Sequence, residues 1–414
     1  MHDMQYIFRA LSPRLTDLAK HFPVIVVSGA RQVGKSTLLA KALGDQVDSI
    51  TFDPVLDIEG ARGDPDLFLA NHRRPMILDE IQYAPEVASA VKRAVDKDRK
   101  PGAFFLSGSQ QWSVIKGLSD SLAGRAVFLD LEAFSIGELG VGTSWLESWL
   151  KNKSLPHAGF RGDSKIPLPE RMWRGWMPET QVLPLDMVPV FYSGYLRTYI
   201  ERDARGFAAP QDLQTFGSFA RLAASLTGQE ILLSSIAREL RVSGPTVARW
   251  FETLSSTFQY QLLSAFSGNP VKRVTSKPKG IMREIGLTVN LLSLASLDSV
   301  ADSPLRGRLF ETLVIGEIRK AASLMSPVPS LYHWRSAGGA EVDLVLEWDG
   351  MLYPIEIKLA SAPGKRDASG LTAFSAAHPS YRLAPGLITC ACASPYPITE
   401  NCWAVPWDWL EKKP

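Results

Sequence analysis

Cysteine is scarce: the 414 residues contain three, Cys390, Cys392 and Cys402. Three are too few for a disulfide framework, and no fourth ligand stands beside them to complete a metal site. They read as ordinary core or strand residues in a reducing, cytoplasmic setting. Long uncharged apolar runs are missing, which excludes a bilayer-spanning helix and a membrane partner. The N-terminus, with His2, Asp3, Arg9 and Arg14, lacks the basic-then-apolar pattern of a secretory leader. Excess charge of one sign is missing too. Lys and Arg number 45 against 43 Asp and Glu, a net charge of +2, so any nucleic-acid surface has to be local. With 45% hydrophobic and 21% charged residues the chain is globular, and its length points to two to four domains.

What is present is densest near the start. Val24-Ile25-Val26-Val27-Ser28 is a short β-rich run that leads into Gly29-Ala30-Arg31-Gln32-Val33-Gly34-Lys35-Ser36. Thr37 opens an apolar-periodic helix. Strand, glycine-rich loop and helix in that order are the context of a Walker A phosphate loop. Gly29 and Gly34 let the backbone curl so that amide groups face phosphate oxygens, and the helix N-terminus adds a favourable dipole. Lys35 is expected to reach the β- and γ-phosphates, and Ser36 to ligate Mg²⁺.

A second apolar run, Pro75-Met76-Ile77-Leu78, ends in Asp79-Glu80. A carboxylate at the C-terminal end of a parallel strand can approach the phosphate loop. Asp79 is the candidate to help hold Mg²⁺, and Glu80 to orient or deprotonate the attacking water. A third run, Ala103 to Ser107, is followed by Gly108-Ser109-Gln110, where Ser109 is a candidate γ-phosphate contact. An amphipathic helix over Val87 to Lys97 separates the last two strands. Repeated strand and helix units predict a three-layer α/β domain.

Together with Leu78-Asp79-Glu80-Ile81-Gln82, Ser107-Gly108-Ser109-Gln110 and Ser121-Leu122-Ala123-Gly124-Arg125, the phosphate loop resembles that of a prokaryotic branch of the AAA-type ATPases. In that branch a P-loop ATPase is joined to a C-terminal domain of uncharacterised function. The resemblance implies ATP as the nucleotide and Arg125 as an arginine finger or γ-phosphate sensor, in its own subunit or in a neighbour. A helix-capping role for Arg125 stays open. Arg174 to Glu179 and Tyr199 to Asp203 also resemble family segments. One departure is Glu284, where the family pattern commonly carries aspartate.

From Leu213 the pattern is helical. A helix over Ile231 to Leu240, a turn at Arg241 to Gly244 and a second helix from Pro245 read as helix-turn-helix, with Ser243 as cap. The resemblance implies a winged version. Arg241, Thr246 and Arg249 could meet DNA, and the basic Lys272, Arg273, Lys277 and Lys279 could contact phosphates. The same shape also serves protein contacts.

Near the C-terminus, Gly307 to Ile318 reads as a helix, and Leu331 to Trp334 as a strand. Glu341 to Leu346 and Leu352 to Lys358 read as strands joined by the turn Asp349-Gly350. Period two puts Glu356 and Lys358 on one face. The hairpin could bring Asp343 beside them, and Glu317 could approach from the helix. Asp343 and Glu356 would bind a divalent cation, Mg²⁺ or Mn²⁺, with Lys358 orienting water or stabilising charge, and Glu317 either completes the site or stabilises its helix. This pattern is similar to the restriction-endonuclease-like nuclease core, which a binding-only descendant can also keep. His333 lies off it and reads as structural.

The expected organisation is a multidomain α/β chain. It comprises an AAA-type ATPase core over 1–140, an irregular helical lid and connector over 141–212, a winged-helix-like domain over 213–297 and a restriction-endonuclease-like α/β domain over 298–414. The leading functional reading is an ATPase whose nucleotide state controls a DNA-associated module. The alternatives are an ATP-dependent metal-activated DNA nuclease and a nucleotide-controlled protein-interaction switch. A homo-oligomer is an open partner.

Overall fold

The computed structural model describes residues 6–44, 47–111, 122–140, 142–155, 159–161, 166–202 and 213–412. Ser121 and Asp203, which belong to two of the family-like segments, lie outside them. The chain forms two compact units, one of residues 1–134 with 256–258 and one of residues 135–255 with 259–414.

The first unit is built on five parallel strands, β1 (Val24–Ser28), β2 (Asp48–Thr51), β3 (Met76–Asp79), β4 (Phe104–Gly108) and β5 (Ala126–Asp130), in the spatial order β2-β3-β4-β1-β5. Every residue of β1, β3 and β4 is buried. That explains why their sequences are continuous apolar runs rather than alternating ones: a parallel sheet is covered on both faces. Helices α1 (Ser12–Leu18), α2 (Lys35–Leu43), α3 (Pro65–Ala70) and α4 (Pro85–Lys97) accompany it. Helix α4 buries Val87, Ala88, Val91 and Val95, a helical stripe that packs with Val24, Val26, Leu78, Phe104 and Leu106 in one core.

Among its described residues the second unit contains three sheets. Helices Leu213–Ser225, Leu233–Leu240 and Gly244–Ser256 accompany an antiparallel sheet of β8 (Gln229–Glu230), β9 (Tyr260–Leu263) and β10 (Lys279–Met282), ordered β8-β10-β9. Arg241 ends the second helix in the left-handed conformation, and the Ser243 hydroxyl accepts from the Thr246 N–H at 3.2 Å to start the third.

The largest sheet joins β11 (Ser330–Arg335), β12 (Glu341–Trp348), β13 (Met351–Lys358), β14 (Arg382–Leu383), β15 (Gly386–Cys390), β16 (Tyr396–Thr399) and β17 (Cys402–Pro406). Strands β11, β12 and β13 form an antiparallel meander, and β13, β15 and β17 run parallel. Asp349 and Gly350 both have positive φ, as a two-residue hairpin turn between β12 and β13 requires. Cys390, Cys392 and Cys402 are buried in the apolar core of this sheet. The last strand, β18 (Trp409–Lys412), pairs with β6 (Gly142–Ser144) and β7 (Gly159–Arg161), so the C-terminal end is knitted into the connector. Among the described residues no helix is long and apolar enough to cross a membrane.

Glu284 is a structural anchor of this unit. One oxygen, Oε1, accepts from the Trp176 N–H at 2.9 Å and from the Gly286 N–H at 3.1 Å, and the Tyr192 hydroxyl lies 3.0 Å away. The longer glutamate therefore caps the Ile285–Leu291 helix and also reaches a second backbone amide. Gly175, at φ 61°, packs so closely that a Cβ there would overlap the Glu284 carboxylate. Glu284→Ala leaves the two buried amides without an acceptor and should cost about 3 kcal/mol in denaturant unfolding, whereas Glu284→Gln keeps the accepting oxygen and should cost about 1 kcal/mol. Equal losses for the two variants would exclude the anchoring role.

His333 joins the middle and C-terminal sheets within this unit. Its N–H donates to Ser264 O at 3.0 Å, its carbonyl accepts from the Phe266 N–H at 2.6 Å, and its ring Nε2 lies 3.1 Å from Lys277 O. Burial first, and the nearby Lys279 charge second, push its imidazole down to about 4 from 6.5. Between those pH values the unfolded chain binds the extra proton. The stability held by the neutral ring is therefore complete above about pH 6.5 and drains away towards about pH 4. The melting temperature of the intact protein should fall over this range more steeply than that of His333→Gln; parallel curves would mean that the ring is not buried neutral.

Candidate nucleotide site and carboxylate cluster

The order β4-β1-β5 puts the loop after β1 at the C-terminal edge of the first sheet, between the ends of β4 and β5. Gly34 sits at the N-cap of α2 with φ 95°, a conformation that favours glycine, and no side chain caps this helix. The Lys35 ammonium curls over the loop and donates to Gly29 O at 3.1 Å and Ala30 O at 2.9 Å. Val33 is buried, while Gln32, Ser36 and Thr37 are exposed along the loop and helix start. The Arg31 guanidinium donates to the Tyr83 hydroxyl at 3.0 Å.

Asp79, at the end of β3, faces this loop. Its Oδ2 accepts from the Ser36 hydroxyl at 2.6 Å, and its Oδ1 accepts from the Ser107 hydroxyl and from the Glu80 N–H at 3.0 Å. A hydroxyl and a carboxylate held together beside the loop form a donor set that suits Mg²⁺, a hard cation taking oxygen ligands. Glu80 adopts the left-handed conformation (φ 54°), a strained backbone for a non-glycine residue that turns the chain sharply after β3. Its carboxylate accepts from the Gln82 amide, which lies 3.2 Å from the Ser109 hydroxyl. Glu80, Gln82 and Ser109 thus form one chain of polar contacts.

Arg9 has no motif to mark it. It is buried, donates to Val33 O and to Glu132 O at 2.6 Å each, and lies over the Phe134 ring. It braces the phosphate loop against the segment after β5. Ser107 and Gln82 lie in the family-like segments, and the fold shows them as the partners of Asp79 and Glu80.

Arg125 stands elsewhere. It immediately precedes β5, whose first residue pairs with Val24 at the opposite end of β1 from the loop. Five residues of strand separate these ends, roughly 16 Å. Arg125 forms a bidentate ion pair with Asp96, at 2.6 and 2.9 Å. Within its own subunit it does not reach the phosphate loop.

In the second unit, Glu356 and Lys358 share a face of β13 and pair at 2.6 Å. Asp343, on the neighbouring strand, accepts from the Ile357 N–H at 2.9 Å with Oδ2 and from the Lys279 ammonium at 3.3 Å with Oδ1. Glu317 does not join them: it accepts from the Ile136 N–H at 2.8 Å and pairs with Lys320 at 2.7 Å. The helix carboxylate at this site is Glu311, six residues earlier, which holds Lys279 at 2.6 Å. Six residues are roughly 9 Å of helix and a different side of it, so Glu311 and Glu317 cannot share one cation. Burial first, then the Asp343 charge, raise the Glu356 carboxyl to about 8 and that of Glu311 to about 7. Burial works against the Lys279 charge, but Glu311 and Asp343 outweigh it and raise its pKa. Among the described residues no group of three or more His, Cys, Asp or Glu is spaced to hold a metal. The buried Glu356 Oε2 has no hydrogen-bond partner, but one oxygen is not a coordination shell, and the set does not fit a divalent cation.

The basic residues divide. Arg273 is engaged internally, with Glu347 at 2.7 Å, Ser267 O at 2.6 Å and the Phe266 and Tyr332 rings. Lys279 is buried with its two carboxylates. Lys272 and Lys277 line an open cavity of about 630 Å³ together with Arg335 and His333. Arg241 and Arg249 are exposed and Thr246 is half-buried.

Comparison with known proteins gives three matches along the chain. Residues 21–140 match a family described as AAA domain, and residues 167–298 and 306–410 match two domains of unknown function, DUF8612 and DUF4143. The chain is similar to an uncharacterised protein of Mycobacterium tuberculosis, with 27% identity over 356 residues, 86% of this chain and 74% of that one. Among solved structures it is similar to a Walker-type ATPase of Pyrococcus abyssi (15% identity, 69% of this chain and 96% of that one, TM-score 0.45). Another is the Holliday junction branch migration motor of Thermotoga maritima (18% identity, 67% and 92%, TM-score 0.32). The N-terminal part of this chain is an AAA-type P-loop ATPase domain, followed by middle and C-terminal domains whose matched families have no described function.

Proposed function

We propose that the N-terminal domain binds ATP with Mg²⁺, hydrolyses it, and through its nucleotide state controls a DNA-associated module in the rest of the chain. The observation that carries the first part is the 2.6 Å contact between Ser36 and Asp79 beside the Lys35 loop. Gly29 to Thr37 would wrap the phosphates with main-chain amides, Lys35 would neutralise the β- and γ-phosphates, and Ser36 and Asp79 would hold Mg²⁺, which supplies charge neutralisation at the transferred phosphoryl. Glu80 would position and deprotonate water, and Ser109, linked to it through Gln82, would contact the γ-phosphate. Arg125, remote from the loop in its own subunit, would act on the nucleotide of a second copy.

The DNA part rests on the middle and C-terminal folds. Three helices with a small antiparallel sheet support a winged-helix reading. Exposed Arg241 and Arg249, with Thr246 beside them, would approach the groove, and Lys272 and Lys277 the phosphates. The helix Arg306–Ser323 followed by the β11-β12-β13 meander, the Ser369–Ala377 helix and β15 supports a restriction-endonuclease-like reading.

Magnesium-dependent ATP binding and turnover, measured with and without duplex DNA at low salt, test the proposal. Lys35→Ala should weaken nucleotide binding. Glu80→Gln should keep it and slow turnover by about 10² to 10³-fold. Arg241→Ala combined with Arg249→Ala should abolish stimulation by DNA without changing basal turnover. Turnover indifferent to DNA, with no DNA bound, would leave the protein-interaction switch as the better reading.

A further inference from the structure

We propose that Lys279 is a built-in replacement for the divalent cation of the C-terminal carboxylate cluster, so that this chain excludes metal from that site. Three observations carry it. First, the ammonium lies between two carboxylates on different elements, 2.6 Å from Glu311 and 3.3 Å from Asp343. An ammonium donates three hydrogen bonds and brings one positive charge. Two of those bonds link the helix carboxylate to the strand carboxylate, the bridging work a metal does in such a site. Second, the ammonium is fixed rather than visiting. Lys279 begins β10, the central strand of its sheet, pairing with Glu230 on one side and Leu263 on the other. Its side chain is 8% exposed, beside Asp343 at 9% and Glu311 at 13%. Third, two further oxygens are committed, and the buried Glu356 Oε2 is the one left without a hydrogen-bond partner. Asp343 Oδ2 holds the Ile357 N–H, and Glu356 Oε1 holds Lys358. A Mg²⁺ or Mn²⁺ ion requires near-octahedral oxygen ligation. Here it would have to displace a buried ammonium that two carboxylates hold in place.

The site left by this arrangement is a polar cavity of about 500 Å³, lined by Lys279, Arg308, Glu311, His333, Glu341 and Asp343 among others. With its cation supplied by the chain, it is not equipped for metal-activated hydrolysis. This holds whether or not the N-terminal domain turns over ATP.

The test is Mn²⁺ binding to the full chain without nucleotide, followed by electron paramagnetic resonance, with thermal melting in parallel. The intact protein should show no Mn²⁺ that Asp343→Asn removes, and its melting temperature should not respond to Mn²⁺ through this site. Lys279→Met keeps the length of the side chain and deletes the charge. It should melt lower in chelator, recover with Mn²⁺, and bind one ion at least about tenfold more tightly than the intact chain. Adding Asp343→Asn to it should abolish that gain. Tight Mn²⁺ on the intact protein that disappears in Asp343→Asn overturns the proposal. So does a folded Lys279→Met protein that gains no ion. Should Lys279→Met not fold, Lys279→Arg preserves the charge and must stay as metal-free as the intact chain; Mn²⁺ bound to it at Asp343 is also an overturning result.

Discussion

The nucleotide end of the molecule depends on one carboxylate. Asp79 uses both oxygens: one takes the hydroxyl of Ser36 on α2, the other takes Ser107 on β4 and the amide that follows it. It thereby ties the start of the phosphate-loop helix to two neighbouring strands. It is 6% exposed, and burying a carboxylate is costly unless its lone pairs are satisfied. Those acceptors are what a hydrated Mg²⁺ also needs. The sheet order enforces the arrangement, because β4 separates β3 from β1 and brings Ser107 beneath Asp79 while the loop after β1 reaches over it. The left-handed backbone at Glu80 follows, since the chain must turn at once after a fully buried strand.

The second unit obeys a related economy with a different outcome. Removing a charge from water costs far more than a hydrogen bond returns, so buried ions occur in matched sets. Lys279 with Glu311 and Asp343, and Glu317 with Lys320, are such sets. Glu284 is matched by the Lys320 charge together with backbone amides, and burial still raises its pKa. A lone acidic residue on a helix pattern therefore says little about chemistry until its partner is known.

That difference separates what the sequence makes legible from what it does not. The phosphate loop, the Asp79-Glu80 pair and the Asp349-Gly350 hairpin depend on neighbours along the chain, and their signals are local: strand, glycine, lysine, turn. Glu311 and Glu317 look alike in sequence, both acidic residues on one helix. Only the register of that helix against β12 and β13 decides which meets Asp343, and register between elements dozens of residues apart leaves no local trace. Lys279 reads as one member of a basic run; its burial follows from β10 being the middle strand of three. Arg9 stands 24 residues before its loop partner Val33, with no spacing to betray it. Arg125 shows the converse: a family-like motif names it, but parallel pairing of β5 with β1 carries it to the far end of the strands from the loop.

Two lysines sum up the contrast between the sites. The Lys35 ammonium rests on two neutral carbonyls of its own loop. A phosphate oxygen is a stronger partner for an ammonium than a carbonyl is, because both members of the new pair are charged. Exchange of these two carbonyls for a polyphosphate oxygen is therefore favourable. The Lys279 ammonium already rests on two carboxylates in a low-dielectric setting, where a charged partner offers no such gain and leaving would strand both acids. The same side chain is exchangeable in one place and committed in the other because of what it is bonded to, and that follows from position in the sheet rather than from residue type.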